Sequence, residues 1–401
     1  RYPVLRIPQL PQPPVPDGVL EPREWSGALQ VPALVNTASL RLDDERTEVF
    51  AGYTEKAFLV AWRLFRNWEG PLKTENTAAG YTPGSAVWDD DCVEVLLRTG
   101  EDAGGAVLVA GNAAGAFGSA VIADGGKDAD FATVLNAGYA ARKTDVGWEG
   151  ELRIPFAELG MSGPPAASAD WGVDVWRRNR TPRQSASSLA CSGKHFDRLA
   201  RLSFAETAPA VRFMDAGAIG DASAGALAEV INLTGAERTI TVEYALFQLG
   251  GDAAGIDFLE EFDAGLEDPQ GGIASFEEPE ALLRNLLDMY TVEWYETDET
   301  VVPPGERRAL NLTATPVSAG DYLLGCRVVD GAGGILLSTL LPIKKPSRIA
   351  LHTVPYYLPA IEKLHCDVRL NSESLQEAAT SIRVSLVQND KELAGRTRSE
   401  E

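Results

Sequence analysis

The chain has 401 residues, of which 45% are hydrophobic and 23% are charged, and its formal net charge is −22. At roughly 100–200 residues per domain, this length predicts two or three domains, and the composition is that of a globular protein with a sizeable core. The strong negative charge excludes nucleic acid and anionic membranes as expected partners, because their phosphate groups would repel the chain.

No apolar segment reaches the roughly 20 residues that a membrane helix needs, so no membrane insertion is expected. No signal peptide is visible and the sequence begins at Arg1, so we expect that a preceding segment was removed or lies outside this sequence. Four scattered cysteines form no CxxC pair: Cys92, Cys191, Cys326 and Cys366. They predict no metal cluster, and they leave open one disulfide or buried free thiols.

The first 16 residues, RYPVLRIPQLPQPPVP, are rich in proline and predict an extended linker. From Asp17 to about residue 206, short alternating apolar segments separated by Gly, Asp, Asn and Pro predict an all-β domain. Proline before and glycine after the segment FAEL predict a short helix there. The candidate strands are Ala57–Leu64, Cys92–Leu97, Ala106–Ala110, Gly147–Ile154 and Trp171–Arg177.

Three consecutive aspartates, Asp89, Asp90 and Asp91, precede one of these strands. We expect them at the edge of the sheet, in contact with water, because adjacent carboxylates repel one another unless a cation lies between them. With the acidic loop 124–130 they are candidate oxygen ligands for a structural Ca²⁺, and solvated acidic loops are the alternative. The strand places two sets of side chains on opposite faces: Val93, Val95 and Leu97 on one, and Cys92, Glu94 and Leu96 on the other.

A second set of strands covers about residues 207–345 and predicts an immunoglobulin-like sandwich. Leucines spaced three and four residues apart at about 277–290 predict an amphipathic helix inserted between its strands. Residues 346–401 predict a partial third β domain or additional strands. The candidate strands of the second set are Ala226–Leu233, Thr239–Leu249, Thr291–Glu296, Arg307–Ala314, Gly320–Val329 and Gly334–Pro342.

Six segments follow one another in the first domain: DGVLEPREW, EKAFLVAWRL, WDDDCVEVLL, GWEGELRIPFAELG, WGVDVWRRNR and HFDRLARLSF. In this order they resemble carbohydrate-binding module family 9, whose β-sandwich is shared with the DOMON group. The resemblance spans Asp17–Phe204, about half of the chain. It implies a β-sandwich in which Trp25 packs in the core.

Modules of this family grip the end of a sugar between two facing tryptophans, and a carboxylate bonds its hydroxyl groups. The resemblance implies Trp88 as the first stacking residue and Glu94 as the hydroxyl acceptor. A second tryptophan is absent from Ser185–Leu199, where the family would place it. The candidate replacements are Trp176, Trp62, Trp68 and Tyr81.

A basic cluster follows Trp176 in the sequence and either contacts a ligand or neutralises the acidic loops: Arg177, Arg178, Arg180, Arg183 and His195. We expect Arg177 to be the ligand contact. Alternation places Glu149 and Glu151 on one face of a strand, which explains them without catalysis. The chain contains no GxSxG, phosphate-loop or HExxH motif, and no enzyme activity is expected.

The sequence therefore predicts an all-β chain of several antiparallel β-sandwiches. Its expected role is a non-catalytic carbohydrate-binding accessory region of a larger extracellular, periplasmic or cell-surface protein, with polysaccharide or oligosaccharide and the flanking domains as partners. We expect that the chain requires no cofactor, and the sequence does not decide whether it binds a structural Ca²⁺. The alternative is a structural or protein-interaction scaffold that keeps the sandwich and has a degenerate sugar cleft.

Overall fold

The structure is a computed structural model. It describes residues 3–31, 33–37, 41–43, 45–66, 70–77, 80–81, 87–99, 105–123, 128–133, 135–167, 169, 171–180, 184–190, 199–206, 208–219, 223–248, 291–315, 319–331, 334–345, 349–353, 366–370, 381–388 and 391–399. The helix predicted at 277–290 lies outside the described residues. In the described part of the chain, no helix is long and apolar enough to cross a bilayer.

The described secondary structure is almost entirely β, as the sequence predicts. The strands of the first half are β1 (Val4–Pro8), β2 (Leu29–Val31), β3 (Val35–Asn36), β4 (Arg41–Leu42), β5 (Thr47–Tyr53), β6 (Ala57–Phe65), β7 (Gly80–Tyr81), β8 (Cys92–Thr99), β9 (Gly105–Asn112), β10 (Ala116–Ala123), β11 (Asp128–Asp130), β12 (Gly138–Thr144), β13 (Gly147–Pro155), β14 (Trp171–Asn179), β15 (Ser185–Ser188) and β16 (Ala200–Ala205). Two 3₁₀ turns cover Val87–Asp89 and Phe156–Leu159, and the second is the predicted short helix.

The remaining strands are β17 (Ala210–Ile219), β18 (Ser223–Ile231), β19 (Arg238–Gln248), β20 (Thr291–Val302), β21 (Arg307–Ala314), β22 (Gly320–Asp330), β23 (Gly334–Lys345), β24 (Ile349–Thr353), β25 (Cys366–Leu370), β26 (Ser381–Gln388) and β27 (Lys391–Ser399). The last four form two separate two-stranded sheets, β24–β25 and β26–β27. Their membership of a third domain stays a prediction.

Two large mixed sheets pack against each other around one core. The first, sheet A, has the strand order β11-β10-β9-β8-β14-β16-β1-β23-β22-β19-β20 along its main path. The second, sheet B, has the order β12-β13-β6-β5-β2-β17-β18-β21. Most neighbours are antiparallel, as predicted. The pairs β1–β16, β2–β17 and β7–β10 are parallel, which the sequence did not predict.

Both sheets continue across the boundary expected near residue 207. Strands β17, β18 and β21 extend sheet B, and strands β19, β20, β22 and β23 extend sheet A. One hydrophobic core contains Trp62 and Trp171 from the first half and Phe213 and Tyr322 from the second. These seven strands lie in two sheets, as a sandwich requires, and their immunoglobulin-like character stays a prediction.

The N-terminal segment differs from the expected linker, because residues 4–8 are a strand within sheet A. Strand β1 lies between β16 and β23 and pairs with both. Its inward residues, Leu5 and Ile7, are buried in the common core. Pro3 and Pro8 lie at the limits of the strand, where a missing N–H is tolerated. The proline content predicted a linker, whereas the alternation of apolar residues in this segment is typical of a strand.

A continuous core predicts that the described residues between 3 and 345 unfold in one cooperative step. Phe204 in β16 and Phe213 in β17 are both buried in this core. Replacing either with alanine should lower the free energy of unfolding by about 3–5 kcal/mol and shift the same thermal transition. The exposed substitution Val146→Ala should leave the transition in place. Calorimetry that resolves two main transitions, each moved by only one of the phenylalanine variants, would contradict a shared core.

Candidate functional site

The register between β8 and β14 places three polar or aromatic side chains on the outer face of sheet A. Glu94 in β8 lies directly opposite Trp176 in β14, and Cys92 lies opposite Arg178. Opposite residues of an antiparallel pair point to the same face. The intervening Val93 belongs to the core between the sheets, so Glu94, Trp176 and Arg178 lie on the other side.

Glu94 and Arg178 form an ion pair on this outer face. The Glu94 side chain is only 1% exposed, and that of Arg178 is 21% exposed. The Arg178 guanidinium also lies 5.2 Å from the centroid of the Trp176 ring, in a cation–π contact. Burial, with a smaller contribution from Glu94, holds the pKa of the neighbouring Cys92 thiol well above its usual range. Cys92 is therefore a protonated, neutral thiol next to the Glu94–Arg178 ion pair.

Arg177, the expected ligand contact, lies on the opposite face and does not join this group. Its side chain is 2% exposed and forms an ion pair with Glu45 at 2.6 Å. It also donates to the Thr47 hydroxyl at 3.1 Å and the Asn179 side-chain oxygen at 3.1 Å. Strand alternation gives the reason, since residues 176 and 178 share a face and residue 177 cannot. The same rule could have identified Arg178 from the sequence.

Trp88 lies in the 3₁₀ turn before β8 and is partly buried. Its ring packs against a small apolar cluster on the outer face of sheet A, composed of Leu96, Ala106, Leu108, Ala120, Ile122 and Leu199. Phe131 meets the Trp88 ring edge to face, with centroids 5.0 Å apart and planes at 81°. Phe131 is 44% exposed. Direct contact leaves no space for a sugar between these two rings, so any ligand must bind on their solvent side.

Of the other candidate aromatic residues, Trp176 lies on this face, opposite Glu94. Trp62 is buried in the core between the sheets. The side chains of Trp68 and Tyr81 lie outside the described residues. The sequence did not predict Phe131 as a site residue. It follows β11, a strand of three residues that is too short to show an alternation of apolar and polar residues. Its position depends on the pairing of β11 with β10.

Two indole N–H groups on the outer face of sheet A are buried without a hydrogen-bond partner among the described residues, those of Trp88 and Trp176. Trp25 shows the contrasting case, because its indole N–H donates to the Glu151 carboxylate at 2.9 Å. A buried donor without an acceptor costs roughly 1–3 kcal/mol. The indole N–H of Trp62, in the core between the sheets, is in the same state, so these donors do not by themselves mark a binding site.

Asp90 is completely buried, in contrast to the expectation that the aspartates stay in contact with water. Its carboxylate accepts hydrogen bonds from the backbone N–H groups of Glu75 and Asn76, each at 3.0 Å. The side-chain amides of Asn76 and Asn112 add two more, at 3.0 and 2.8 Å. These donors stabilise the negative charge in place of water. Asp90 thereby attaches residues 75–76 and the end of β9 to the start of β8.

Asp91 and Arg180 hold the opposite side of the same turn. The Asp91 carboxylate accepts hydrogen bonds from the backbone N–H of Lys73, at 2.7 Å, and from that of Arg180. The Arg180 guanidinium donates to the Trp88 carbonyl oxygen at 2.6 Å. Asp89 is the exposed member of the triplet. Arg180 thus holds the turn in place through hydrogen bonds, and Arg183 and His195 lie outside the described residues.

The described residues contain no group of three or more His, Cys, Asp or Glu side chains placed to hold a metal ion. The oxygens of Asp90 and Asp91 already accept N–H donors, and Asp130 accepts a hydrogen bond from the Thr133 hydroxyl at 2.6 Å. A cation at the aspartate triplet would have to compete with these bonds. They favour a structural role for the triplet, and calcium in the first domain stays a prediction.

The pair Glu149 and Glu151 lies on the outer face of sheet B, in separate contacts. Glu149 forms ion pairs with Arg63 at 2.7 Å and with Arg142 at 3.1 Å. Glu151 accepts hydrogen bonds from the backbone N–H groups at residues 17 and 18, in addition to the Trp25 indole. Burial raises the pKa of Glu151, and these bonds oppose the rise. Both carboxylates are accounted for by attachment of the N-terminal segment and by charge pairing between strands.

No family model matches the chain, and no curated protein matches it. Among solved structures, it is similar to a carbohydrate-binding module of family 9 from Caldicellulosiruptor kristjanssonii in complex with cellotriose, at 13% identity and a TM-score of 0.38, over 51% of this chain and 94% of that chain. The same organism's family 9 module in complex with glucose gives 14% identity, a TM-score of 0.37, and coverage of 51% and 97%. A Bacteroides uniformis protein described as carbohydrate-binding gives 15% identity, a TM-score of 0.41, and coverage of 51% and 100%. Identities and TM-scores this low leave the function to be argued from the residues of the chain itself.

The contacts of Asp90 predict that this residue, and not its neighbour Asp89, stabilises the turn. Asp90→Asn would place an amide N–H₂ where the buried carboxylate now accepts four donors, so we expect a loss of about 2–4 kcal/mol in the free energy of unfolding. Asp89→Asn, at the exposed position, should change it by less than about 0.5 kcal/mol. Chemical denaturation with and without EDTA measures both. A wild-type chain whose stability falls on chelation would contradict the metal-free role.

Proposed function

We propose that the outer face of sheet A around Trp88 binds a carbohydrate. The observation that supports it most is the edge-to-face pair of Trp88 and Phe131, in which both residues keep an exposed portion. Glu94 lies opposite Trp176 and is paired with Arg178, whose partly exposed guanidinium offers N–H groups to hydroxyl groups.

The aromatic part of the proposed site is Trp88 with Phe131. Both rings keep an exposed portion, and their edge-to-face contact makes one apolar ledge. The C–H face of a pyranose would pack on this ledge, while its hydroxyl groups point toward Glu94 and Arg178. A single ledge replaces the pair of facing tryptophans that the resemblance implied. We therefore expect a shallower site that holds a sugar on one side.

The proposed role is that of a non-catalytic accessory region. The outer-face carboxylate, Glu94, is paired with Arg178, and Asp174 accepts a hydrogen bond from the Ser188 hydroxyl at 2.8 Å. Both carboxylates are buried and already bonded, so neither is placed to act as a catalytic acid or base. In a larger extracellular, periplasmic or cell-surface protein, such a region would raise the local concentration of substrate for the domains attached to it.

A structural scaffold is the second candidate function. It is favoured by the packing of Trp88 against the outer apolar cluster and against Phe131, which makes the tryptophan partly a packing residue. It is also favoured by the continuity of both sheets, since a long two-layer body suits a spacer between other domains. In that case the outer face of sheet A would bind no sugar.

A glycan array followed by calorimetric titration tests the proposal. We expect binding of a neutral oligosaccharide by the wild-type chain, because the charge of −22 disfavours acidic glycans. Trp88→Ala should weaken it at least tenfold, equivalent to about 1.4 kcal/mol, through loss of the stacking surface. Glu94→Gln should weaken it by a similar factor.

Val146→Ala, at an exposed position on a turn of sheet B, is the matched control and should bind as the wild type does. Thermal melting of each variant separates loss of binding from loss of folding. Failure of the folded wild-type chain to bind any glycan would refute the carbohydrate proposal and leave the scaffold. Binding that survives both Trp88→Ala and Glu94→Gln would place the sugar elsewhere.

A further inference from the structure

Strand β1 fills a slot between two strands that come from different halves of the chain. It pairs in parallel with β16 over five residues and antiparallel with β23 over two. The backbone N–H of Arg201 also donates to the Pro3 carbonyl oxygen at 2.8 Å, which extends the parallel pairing. Along the main path of sheet A, β16 and β23 are joined through β1. Without this strand each of them would present an unpaired edge.

The side chains of β1 fit the slot on both faces. Leu5 and Ile7 point inward and are buried in the common core. On the outward face, Arg6 lies against Gly334, where an added Cβ would come within 1.8 Å of the guanidinium. Burial lowers the pKa of Arg6, and the nearby buried carboxylate of Asp330 opposes this shift. Apolar residues on one side and a cation beside an anion on the other make the slot selective for this segment.

The connection from β1 to the rest of the chain is exposed at residues 11–13, and Pro14 within it is buried. After Pro8 the backbone leaves sheet A, and the N–H of Leu10 donates to the Tyr53 carbonyl oxygen of sheet B at 2.8 Å. Residues 11–13 are exposed, and Val15 is 67% exposed. The chain is buried again by Leu20 and Trp25. The segment that ends at Leu10 is thus attached by its own contacts and by a short accessible connector.

We infer that residues 3–10 are a separable strand, held as a noncovalent ligand in the slot between β16 and β23, and that this strand fastens the two halves of the sheets together. Strand addition at a sheet edge takes its affinity from backbone hydrogen bonds and its specificity from pockets for alternate side chains. Both are present here. The N-terminal segment acts as a clip that fixes the strands after residue 207 to the half that carries Trp88.

Cleavage of the folded full-length chain tests the clip. A recognition sequence for a specific protease is inserted after Gln12, among the exposed residues 11–13, and the protein is cut after it has folded, so a folding defect cannot mimic the result. We expect the N-terminal fragment to remain with the body in size-exclusion chromatography at micromolar concentration. A labelled synthetic peptide of residues 1–11 should then exchange into the slot, as measured by fluorescence anisotropy.

Peptide variants test the specificity of the slot. The Ile7→Asp peptide should compete at least tenfold more weakly, because it places a carboxylate in the apolar core. The Val4→Thr peptide, altered at a partly exposed position, should compete within about threefold of the original. Release of the wild-type fragment immediately after cleavage would overturn the inference, as would equal competition by both variants. A dimer that forms by exchange of this strand between copies would support it.

Discussion

The buried carboxylate of Asp90 is the constraint on which the arrangement of the candidate site depends. An unpaired carboxylate in this position would be too costly to bury, and four N–H donors offset that cost. The donors come from residues 75–76 and from the end of β9, so the bond network fixes two distant parts of the chain at the start of β8. Trp88 lies two residues before Asp90 in the same turn. Its position over the outer face of sheet A follows from this attachment.

Strand alternation then decides which side chains accompany Trp88. Residues 94, 176 and 178 share the outer face, and residues 93, 175 and 177 face the core or the rim between the sheets. Two adjacent arginines, Arg177 and Arg178, therefore have different partners on opposite faces of the strand. Arg177 closes the edge of the core with Glu45, while Arg178 neutralises Glu94 beside Trp176. The carbohydrate proposal rests on this outer face, where Trp88 and Phe131 are partly exposed and the Glu94–Arg178 pair lies beside Trp176.

The sequence predicted local features well, because they depend on residues close together in the chain. The all-β class, most strands of the first half, the start of β8 and the turn at Phe156–Leu159 follow from alternation and from proline and glycine positions. Partners that are distant in sequence could not be predicted, such as Asn112 for Asp90 or Phe131 for Trp88. The role of β1 was missed for a different reason. Its proline content obscured the alternation of Leu5 and Ile7.

The central claim is that a sugar binds on the outer face of sheet A beside Trp88 and Trp176, whose buried indole N–H groups report on binding there. The chain has eight tryptophans, so an NMR spectrum of the ¹⁵N-labelled indoles resolves each as one signal. Titration with an oligosaccharide selected on the array should shift the signals of Trp88 and Trp176. The signal of Trp25, whose N–H is already bonded to Glu151, should stay in place. A titration that reaches saturation without moving either outer-face indole would contradict the account.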